Sequence, residues 1–515
     1  MNLAHTLTQA ALKWPKKTAL VFEGRRWTYA EWNRLVNKAA YAFRDAGIAK
    51  GDRVAILTYN LPEQVTAFYA LLKIGAIPVP INYRLAANEV KYILDDSRAR
   101  ILMFEEALRA PVETIKDRIS VERLLYVGAH PGDRETRFED FIAPGAESEP
   151  EADVSWHDPG FIMYTSGTTG RPKGVVRSHL ADYMGGLFMS VECGFRHDDV
   201  ILNNKPLFHI AQLQLQFIPF VQNAATNVLT RGFDVHETLS LVGSERVTVL
   251  HGVPTQMVMM VAADLSKYDL SSLRCGFFGG QTLASDVTRK CMALFPSYFG
   301  NVYGSTEALM VTCCDYRQHP DKLGSVGKAS LGMEVRVIRA DGRDPDDLCK
   351  PGEIGQLITR GPSLLTEYFG LPDRTAAAFS RGWFLSGDAA VPDDEGFITV
   401  MGRMDHTIKS GGENIHPAEV EDALFRHPAI ANAAVVGLPS RLWGQVVCAA
   451  IVRRDPALTA EMLDRFCRDS PDLADFKRPR HYFFVDDIPA NPTGKVERGK
   501  LKEQLAEKIG GRELD

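Results

Sequence analysis

The sequence lacks the features of several protein classes. Among its 515 residues there is no apolar run close to the length of a membrane span, and no block of basic residues that could follow a nucleic-acid backbone. Its net charge of -6 at pH 7 is mild. We therefore expect no integral membrane segment and no nucleic-acid partner. The stretch MNLAHTLTQAALKWPKK has no charged region followed by an apolar one, so we expect a cytoplasmic protein.

The sequence has few cysteines, and their spacing is not that of a metal site. None of the eight cysteines has CxxC spacing, and the adjacent pair Cys313 and Cys314 has no companion ligands in the sequence around it. We expect free, mostly buried thiols and no cysteine metal site. The sequence also has no internal repeat, no low-complexity tract and no Ser/Gly linker, which leaves a multi-domain globular enzyme as the default.

The first two-thirds of the chain alternates strand-like and helix-like segments. RVAIL is followed by PEQVTAFYALLKIG and IPVPI, and later TNVLT is followed by DVHETLSLVGS and VTVLH. A strand, a helical crossover and a second strand at this spacing predict parallel strands. We therefore expect an α/β fold whose large N-terminal domain contains two helix-flanked, mostly parallel sheets.

The pattern of predicted secondary structure changes after about Ser325. Short β-rich pieces with frequent Gly and Pro follow, such as MEVRVIRADGR, GEIGQLITRG and GFITVMGR, and they predict a small β-barrel-like subdomain. From HPAEVEDALF onward the pattern is that of a small α+β unit. We predict an N-terminal domain over 1–404 and a mobile C-terminal domain over 405–515, joined by a short hinge at Asp405.

A glycine-rich loop is the most unusual stretch. FIMYTSGTTGRPKGV begins as an apolar strand, breaks at Gly167, and has Lys173 close behind. Consecutive glycine-rich backbone amides can point inward and bind an anion, which predicts a polyphosphate site. The loop matches neither the Walker A pattern nor the dinucleotide G-x-G-x-x-G. Its hydroxyl groups belong to Thr165, Ser166, Thr168 and Thr169.

Six motifs occur in order along nearly the whole chain: YTSGTTGRPKGV, PLFH, VYGSTEA, GWFLSGD, GRMDHTIKSGGENIHPAEVE and NPTGKVER. With this set the sequence resembles the adenylate-forming family, which contains acyl-CoA synthetases, aryl-CoA ligases, firefly luciferase and peptide-synthetase adenylation domains. The resemblance implies that a carboxylate attacks the α-phosphorus of ATP to give an acyl-adenylate and pyrophosphate, and that a thiol then displaces AMP. It also implies ATP, Mg²⁺ and CoA as cofactor and co-substrates.

The resemblance assigns roles around the nucleotide. Residues 165–173 would cover the β- and γ-phosphates, Tyr303 would lie against the adenine, and Thr306 would contact the α-phosphate. Glu307 would ligate Mg²⁺, with Thr165 as a second candidate ligand. The remaining nucleotide-binding candidates are Asp388 on the ribose hydroxyls, Arg403 beside it, and Gly279, Gly280, Gln281 and Gly304.

The C-terminal motifs supply the second half of the implied reaction. Lys495 would bridge the carboxylate and the α-phosphate during adenylation, and it is the first candidate for the catalytic residue. Rotation about Asp405 would then remove Lys495 and bring Gly411 and Gly412 to line a tunnel for the thiol. Lys409 matches a position near the adenylate.

The acid-binding side is less defined. His209 resembles the residue at the mouth of the acyl pocket, although a structural histidine is the plain alternative. The segment has no Asp to pair with an ammonium group, which argues against α-amino acids. Gln212 and Gln216 would share a face if PLFH is followed by a helix, whereas the alternation of Gln212, Gln214 and Gln216 could also indicate a strand. We expect a mostly apolar pocket wall drawn from Phe208, Ile210, Val253, Met257, Phe277, Gly279 and Gly280.

The sequence therefore predicts an ATP-dependent, Mg²⁺-requiring acid:CoA ligase with a fatty acid as leading substrate and an aryl or alicyclic acid next. One alternative enzyme would load a carrier-protein thiol instead of CoA. A non-catalytic nucleotide sensor is the remaining alternative, and the presence of both Lys495 and Glu307 counts against it. A homo-oligomer is left open.

Overall fold

The structure is a computed structural model that describes residues 2–165, 172–280, 283–340, 342–410, 413–470, 473–491, 496–510 and 514. Within these residues the α-helices are α1 His5–Lys13, α2 Tyr29–Asp45, α3 Pro62–Ile74, α4 Ala87–Ser97, α5 Arg109–Glu113, α6 Phe138–Ile142, α7 His179–Glu192, α8 Ile210–Gln212, α9 Ile218–Gln222, α10 Val235–Ser244, α11 Pro254–Ala262, α12 Ser285–Leu294, α13 Pro372–Ala377, α14 Pro417–Phe425, α15 Ala460–Arg468 and α16 Arg498–Lys508. A π-helical segment, Leu213–Phe217, joins α8 to α9.

The strands of the N-terminal two-thirds are β1 Thr18–Phe22, β2 Arg25–Thr28, β3 Arg53–Leu57, β4 Ile77–Pro80, β5 Ile101–Glu105, β6 Arg123–Val127, β7 Glu135–Arg137, β8 Pro159–Thr165, β9 Lys173–Ser178, β10 Val200–Asn203, β11 Thr226–Leu229, β12 Val249–Gly252, β13 Cys275–Gly279, β14 Tyr298–Ser305, β15 Leu309–Asp315 and β16 Lys328–Ala329. The later strands are β17 Glu334–Arg339, β18 Gly355–Arg360, β19 Glu367–Tyr368, β20 Phe379–Ser380, β21 Trp383–Pro392, β22 Ile398–Arg403, β23 Ile408–Ser410, β24 Glu413–Ile415, β25 Ile430–Ser440, β26 Gly444–Arg453 and β27 His481–Phe484.

Two sheets form the N-terminal part. The larger has the order β16-β15-β14-β13-β12-β10-β11-β1-β2, and its strands from β14 to β1 are parallel, with antiparallel strands at both ends. The smaller has the order β4-β3-β5-β6-β7 and is parallel throughout. Helices lie in most of the connections between these strands, because parallel neighbours usually require a long return connection, whereas residues 128–134 between β6 and β7 form no helix. The predicted α/β class is confirmed.

Local sequence signals explain several helix ends. Helix α2 begins at a capping box in which the Thr28 side chain accepts from the Glu31 backbone N–H and Glu31 accepts from Thr28. Helix α3 has Pro62 in its first turn and ends at Gly75, whose φ of 74° is the left-handed conformation favoured by glycine. The segment PEQVTAFYALLKIG therefore forms the helix that its pattern predicts.

Smaller sheets follow. Strands β17, β18, β21, β20 and β22 form an antiparallel sheet, and β8 and β9 form a hairpin to which β19 adds. The C-terminal sheet has the order β24-β23-β26-β25, with β27 beside β26. A short turn over Met404–His406 connects β22 to β23. No helix within the described ranges combines the length and apolarity needed to cross a membrane.

The two faces of the large sheet carry separate cores. On one face, Ile201, Val249, Cys275 and Phe277 belong to the main hydrophobic cluster, together with helices α1 to α3 and the π-helical segment. On the other face, Leu202, Val228, Leu250, Phe278 and Phe299 pack in a second cluster. The alternation of side chains along each strand produces this division. It also decides which residues can line a pocket above either face.

Candidate active site

The β8–β9 hairpin presents the glycine-rich loop. Thr165 is the last residue of β8 and pairs with Lys173, the first residue of β9. The predicted loop residues Ser166, Gly167, Thr168 and Thr169 lie outside the described residues. Strand pairing therefore brings Thr165 and Lys173, the described residues that flank the glycine-rich stretch, next to each other.

Lys173 and Glu307 approach the same tyrosine. The Lys173 Nζ lies 4.6 Å from the centroid of the Tyr368 ring, and the Tyr368 hydroxyl donates to Glu307 Oε1 at 3.0 Å. Burial lowers the pKa of Lys173, and the charge of Glu307 partly opposes that effect. A cation at the start of β9 and a carboxylate therefore contact the same tyrosine. Tyr368 was missed by the sequence reasoning, because TEYFG carries only a short β-like signal.

A tight turn carries Thr306 and Glu307 from β14 towards β15. A Cβ atom on Gly304 would lie 1.6 Å from the carbonyl oxygen of Leu309, so glycine is required there by the close approach of the two strands. Leu309 itself has a φ of 57°. The backbone after Tyr303 is thereby forced into one shape, and that shape fixes the positions of both candidate residues.

A buried arginine supports this turn from below. The Arg177 Nη1 donates to the carbonyl oxygens of Thr306 at 3.2 Å and Glu307 at 3.4 Å, and Nη2 donates to the Ser363 carbonyl at 2.7 Å. Its Nε donates to Asp182 Oδ1 at 3.0 Å, and the two side chains are 0% and 1% exposed. The sequence did not identify Arg177 as a functional residue. The only signal was a single arginine after the two valines in GVVRSH, which does not distinguish a buried arginine from an exposed one.

Three predicted residues meet in one hydrogen-bonded group. The Tyr303 hydroxyl donates to Asp388 Oδ2 at 2.5 Å, and Arg403 Nη1 lies 3.3 Å from Asp388 Oδ1. Arg403 also donates to the Ser386 carbonyl at 2.6 Å. Burial, and then the charge of Asp388, raise the pKa of Tyr303 well above its usual value, so its hydroxyl keeps its proton and acts as the donor. The group offers an aromatic face beside a carboxylate, which suits a nucleoside.

The end of β13 lies against β14 at the same place. A Cβ atom on Gly279 would lie 2.3 Å from the Val302 carbonyl oxygen, and Gly280 has a φ of 89°. Both glycines are therefore dictated by the backbone path beside Tyr303. Gln281 lies outside the described residues.

The acid-binding side is helical after PLFH. His209 precedes α8, and its Nδ1 accepts from the Ala211 backbone N–H at 3.2 Å. Gln212 and Gln216 lie on one face and are joined by a hydrogen bond of 3.2 Å, so the helical alternative is the correct one. The segment 213–217 is a π-helix, a form often found at functional sites.

The expected pocket wall is wrong at Met257. Met257 is fully buried in the cluster on the opposite face of the large sheet, because α11 packs there and not beside Phe277. The Phe277 face also includes His251, whose ring is parallel to that of Phe277 with centroids 4.5 Å apart. Apolar residues alone do not line this side.

A second polar residue, Lys205, lies beneath the same strands. It is 5% exposed, and its Nζ donates to the His251 carbonyl oxygen at 2.8 Å and to Asn204 Oδ1 at 3.3 Å. Burial lowers its pKa to about 7. Both contacts are to neutral oxygens, so among the described residues this amine has no carboxylate partner of the kind that usually keeps a buried lysine charged.

The C-terminal candidates are only partly described. Lys409 lies on β23 with an exposed side chain, and its backbone N–H donates to Gln445 Oε1 at 2.9 Å. Asp405 lies in the turn between β22 and β23, with Oδ1 3.5 Å from Arg403 Nε. Gly411, Gly412 and Lys495 lie outside the described residues.

Two family models match the chain. The model described as AMP-binding enzyme matches residues 7–369, and the model described as AMP-binding enzyme C-terminal domain matches residues 419–495. The first match alone covers well over half of the 515 residues.

Known proteins are similar over almost their whole length. A 2-succinylbenzoate–CoA ligase of Bacillus velezensis is 35% identical over 96% of this chain and 97% of its own length. The long-chain-fatty-acid–CoA ligase FadD13 of Mycobacterium tuberculosis is 32% identical over 98% of this chain and 99% of its own. The solved structure of the anthranilate CoA ligase AuaEII with anthranoyl-AMP superposes with a TM-score of 0.90 at 27% identity, covering 99% of this chain and 98% of that one.

Proposed function

This chain belongs to the AMP-binding enzyme family and is an ATP-dependent, AMP-forming acid:CoA ligase, and we propose on that premise that its acid has a largely apolar body, with a fatty acid first. The fatty-acid proposal is supported by the buried apolar side chains of Phe208 and Ile210 on either side of His209 in the sequence, and by the buried Phe277 beside His251. It is also supported by the similarity to a long-chain-fatty-acid–CoA ligase.

We assign the nucleotide to the group formed by Tyr303, Asp388 and Arg403. The adenine would lie against Tyr303, and the ribose hydroxyls would donate to the Asp388 carboxylate, which Arg403 holds in place. The single observation that carries this assignment is the hydrogen bond between Tyr303 and Asp388, residues from separate sheets. The phosphates would then extend towards Lys173 and Thr306.

The reaction concentrates negative charge at the phosphates. When the carboxylate attacks the α-phosphorus, a positive group fixed in advance stabilises the developing charge better than mobile solvent does. Lys173 is such a group, because strand pairing with Thr165 and the Tyr368 ring restrict it. We place Lys495 beside the α-phosphate in the same step. Thr306 would donate its hydroxyl to an α-phosphate oxygen.

Mg²⁺ fits the same place. Within the described ranges no group of three or more His, Cys, Asp or Glu side chains could hold a metal ion. A magnesium ion held by one carboxylate and by substrate phosphates needs no such group, and Glu307 offers that carboxylate. Bound there, Mg²⁺ would offset the charge of the phosphate oxygens. Thr165, which pairs with Lys173, is the second candidate ligand.

The C-terminal residues would serve the thiol step. We propose that residues 405–515 rotate about Asp405 after adenylation, replacing Lys495 by Gly411 and Gly412 at the site. Support comes from the single short turn over Met404–His406, which is the connection between β22 and β23. Lys409 would approach the adenylate in one of the two arrangements.

An aryl acid is the second candidate. The parallel rings of His251 and Phe277, 7° apart in orientation, offer a flat boundary of the kind that accommodates an aromatic ring. Two of the similar proteins act on aromatic acids by name.

A pyrophosphate-release screen tests the proposal. Fatty, aryl and alicyclic acids are each incubated with ATP and Mg²⁺, with and without free CoA, and thioester is detected separately. We expect pyrophosphate release and CoA thioester with at least one apolar acid. Pyrophosphate without thioester would favour a carrier-protein thiol, and no release with any acid would contradict the proposal.

A further inference from the structure

His251 lies where the large sheet opens towards the acid-binding side. It is the third residue of β12, directly beside Phe277 in the parallel pairing with β13, and it is 3% exposed. Ligands of open α/β sheets bind outside the carboxyl ends of the strands, and His251 is at that end of β12. Its pKa is sensitive to His209, which places it near the residue expected at the mouth of the acyl pocket.

A chain of side-chain amides leads to this histidine. The backbone N–H of Lys205 donates to Gln212 Oε1 at 3.0 Å, so the other end of that amide must be the nitrogen. Gln212 Nε2 then donates to Gln216 Oε1 at 3.2 Å. Gln216 Nε2 in turn donates to the carbonyl oxygen of Ala211 and to His251 Nδ1, each at 2.5 Å. Backbone groups at both ends fix the orientation of the whole chain, because a backbone N–H only donates and a carbonyl only accepts.

The orientation of the amides sets the tautomer of the ring. Since Gln216 donates to His251, Nδ1 must be the unprotonated nitrogen. Burial first, and then the charges of Lys205 and His209, hold the pKa of His251 well below its usual value, so the ring is neutral. A neutral imidazole with a bare Nδ1 carries its hydrogen on Nε2.

The Nε2–H has no hydrogen-bond acceptor among the residues that the structure describes. Within the described residues, the polar contacts of the His251 ring and carbonyl are those of Nδ1 with Gln216 and of the carbonyl oxygen with Lys205. His251 is 3% exposed, and its Nε2 is not one of the fully enclosed polar atoms without a partner in the described residues, so the N–H keeps some accessible surface through which it could meet a ligand. A donor held in one direction by three buried side chains is the arrangement of a recognition group.

We propose that His251 Nε2–H donates a hydrogen bond to an oxygen on the body of the acid, so that the enzyme selects acids carrying an ether, carbonyl or hydroxyl oxygen in addition to the reacting carboxylate. The proposal rests on the proposed function and narrows its substrate class. Gln216 acts as a positioning residue, because it fixes the tautomer without reaching the acid. The Phe277 ring stacks on the face of the imidazole and restricts its orientation.

Acids that differ only by an ether oxygen in place of a methylene group test the inference directly. The oxygen of an ether accepts but does not donate, so it reports on a protein donor alone. The panel contains ethyl- and methoxy-substituted aryl acids, and straight-chain acids with an oxygen at each successive position. We expect the wild type to prefer one ether acid over its methylene partner by about tenfold in kcat/KM for CoA thioester formation, the value of one hydrogen bond.

Three variants identify the donor. His251→Phe keeps a flat ring beside Phe277 and removes the N–H, so the preference for the ether acid over its methylene partner should fall to about one. His251→Gln retains an N–H at a similar distance and should recover part of the preference. Gln216→Met should reduce the preference for the ether acid while leaving the contact between His251 and Phe277 in place. A rise in KM alone that is equal for both acids of each pair would indicate a structural role for Gln216.

The outcomes separate the two proposals. If no acid releases pyrophosphate, the proposed function fails and this inference fails with it. If methylene acids form thioester and no ether position is preferred by the wild type, the ligase assignment stands and the role of His251 is refuted. The same conclusion follows if His251→Phe, with a wild-type thermal transition, lowers kcat/KM equally for both members of the preferred pair.

Discussion

The two sides of the candidate site hold their polar groups in opposite states. On the nucleotide side, Asp388, Arg403, Lys173 and Glu307 are half-buried, carry charge and lie beside groups of opposite charge or aromatic rings. On the acid side, the amides and His251 are buried and neutral, and Lys205 has its pKa lowered to about 7. Exposure to water explains why one side is charged and the other neutral, because burying a charged group away from solvent costs much more free energy than leaving it partly solvated.

The charge state of each side also matches the chemistry of the substrate that it would bind. A polyphosphate brings several negative charges, so its binding residues must keep their own charge until it arrives. The body of an apolar acid brings none, and a neutral donor can distinguish an oxygen from a methylene group without drawing water into the pocket. Each side is therefore matched to the portion of the reaction that it would hold.

Arg177 and Asp182 break the pattern, since they are charged and fully buried between the two sides. Gln214 of the π-helix donates to Asp182 at 2.5 Å, while Arg177 holds the carbonyls of Thr306 and Glu307. Arg177→Met should give the largest effect, a loss of about 3–5 kcal/mol in the free energy of unfolding, because it leaves Asp182 buried without its cation. Urea denaturation measures the loss.

The double variant Arg177→Met/Asp182→Leu separates stability from positioning. Removing the stranded carboxylate should recover much of the stability, whereas the carbonyls of Thr306 and Glu307 still lack their donor and adenylation should stay slow. Recovery of both stability and pyrophosphate release would show that the pair does not position the turn.

Lys495→Ala sharpens the comparison at the reaction itself. Adenylation should fall by about 10²–10³-fold, the usual loss when one preorganised positive or hydrogen-bonding group is removed from a transition state. Thioester formation from supplied acyl-adenylate should remain, since rotation would have carried Lys495 away. Pyrophosphate exchange and single-turnover thioester formation give the two rates, and an equal fall in both would contradict the two-arrangement scheme.

Sequence motifs point to candidate residues on one side of the site and to few on the other. Tyr303, Glu307 and Asp388 lie inside contiguous motifs, and a motif can be read without knowing the fold. His251 and Gln216 meet only through the pairing of distant strands and a π-helix, and neither has neighbours in the sequence that reveal the contact. Met257 was misplaced because an apolar helix shows that one face is buried but not which face of the sheet it covers.

The same limit applies to the fold. The alternation RVAIL, PEQVTAFYALLKIG, IPVPI correctly predicted β3, α3 and β4, since each has its own period and its own end signals. The strand order of the large sheet, in which β1 pairs with β11, depends on contacts some two hundred residues apart. The domain boundary at Asp405 stays a prediction.

Lys205 tests the acid side through pH. Its folded pKa of about 7 lies below the usual 10.5, so between these values the unfolded chain binds more protons and stability should rise with pH. Relative to Lys205→Met, wild type should gain about 1 kcal/mol per pH unit between pH 7.5 and 9.5. The control Lys322→Met, at a lysine whose pKa is raised by Glu395 and Asp393, should show no such slope in that window. A flat difference for Lys205→Met would show that this amine is not buried in its neutral form.

Glu307→Gln should give the smallest effect and tests the nucleotide side. The substitution keeps the shape of the side chain and removes the charge, so the Mg²⁺ concentration needed for half-maximal adenylation should rise by about 10–100-fold, as for other lost metal-site contacts. Tyr368→Phe is the matched control, because it deletes the 3.0 Å hydrogen bond to Glu307 and keeps the carboxylate, and its rise should be smaller. Thioester formation from supplied acyl-adenylate should change less in both variants, since pyrophosphate has already left by that step. Mg²⁺ titrations of pyrophosphate release measure all three proteins.

A Glu307→Gln titration that overlays the wild type would remove Glu307 from the metal site. Equal shifts in both variants would mean that the hydrogen bond, and not the charge, sets the metal dependence.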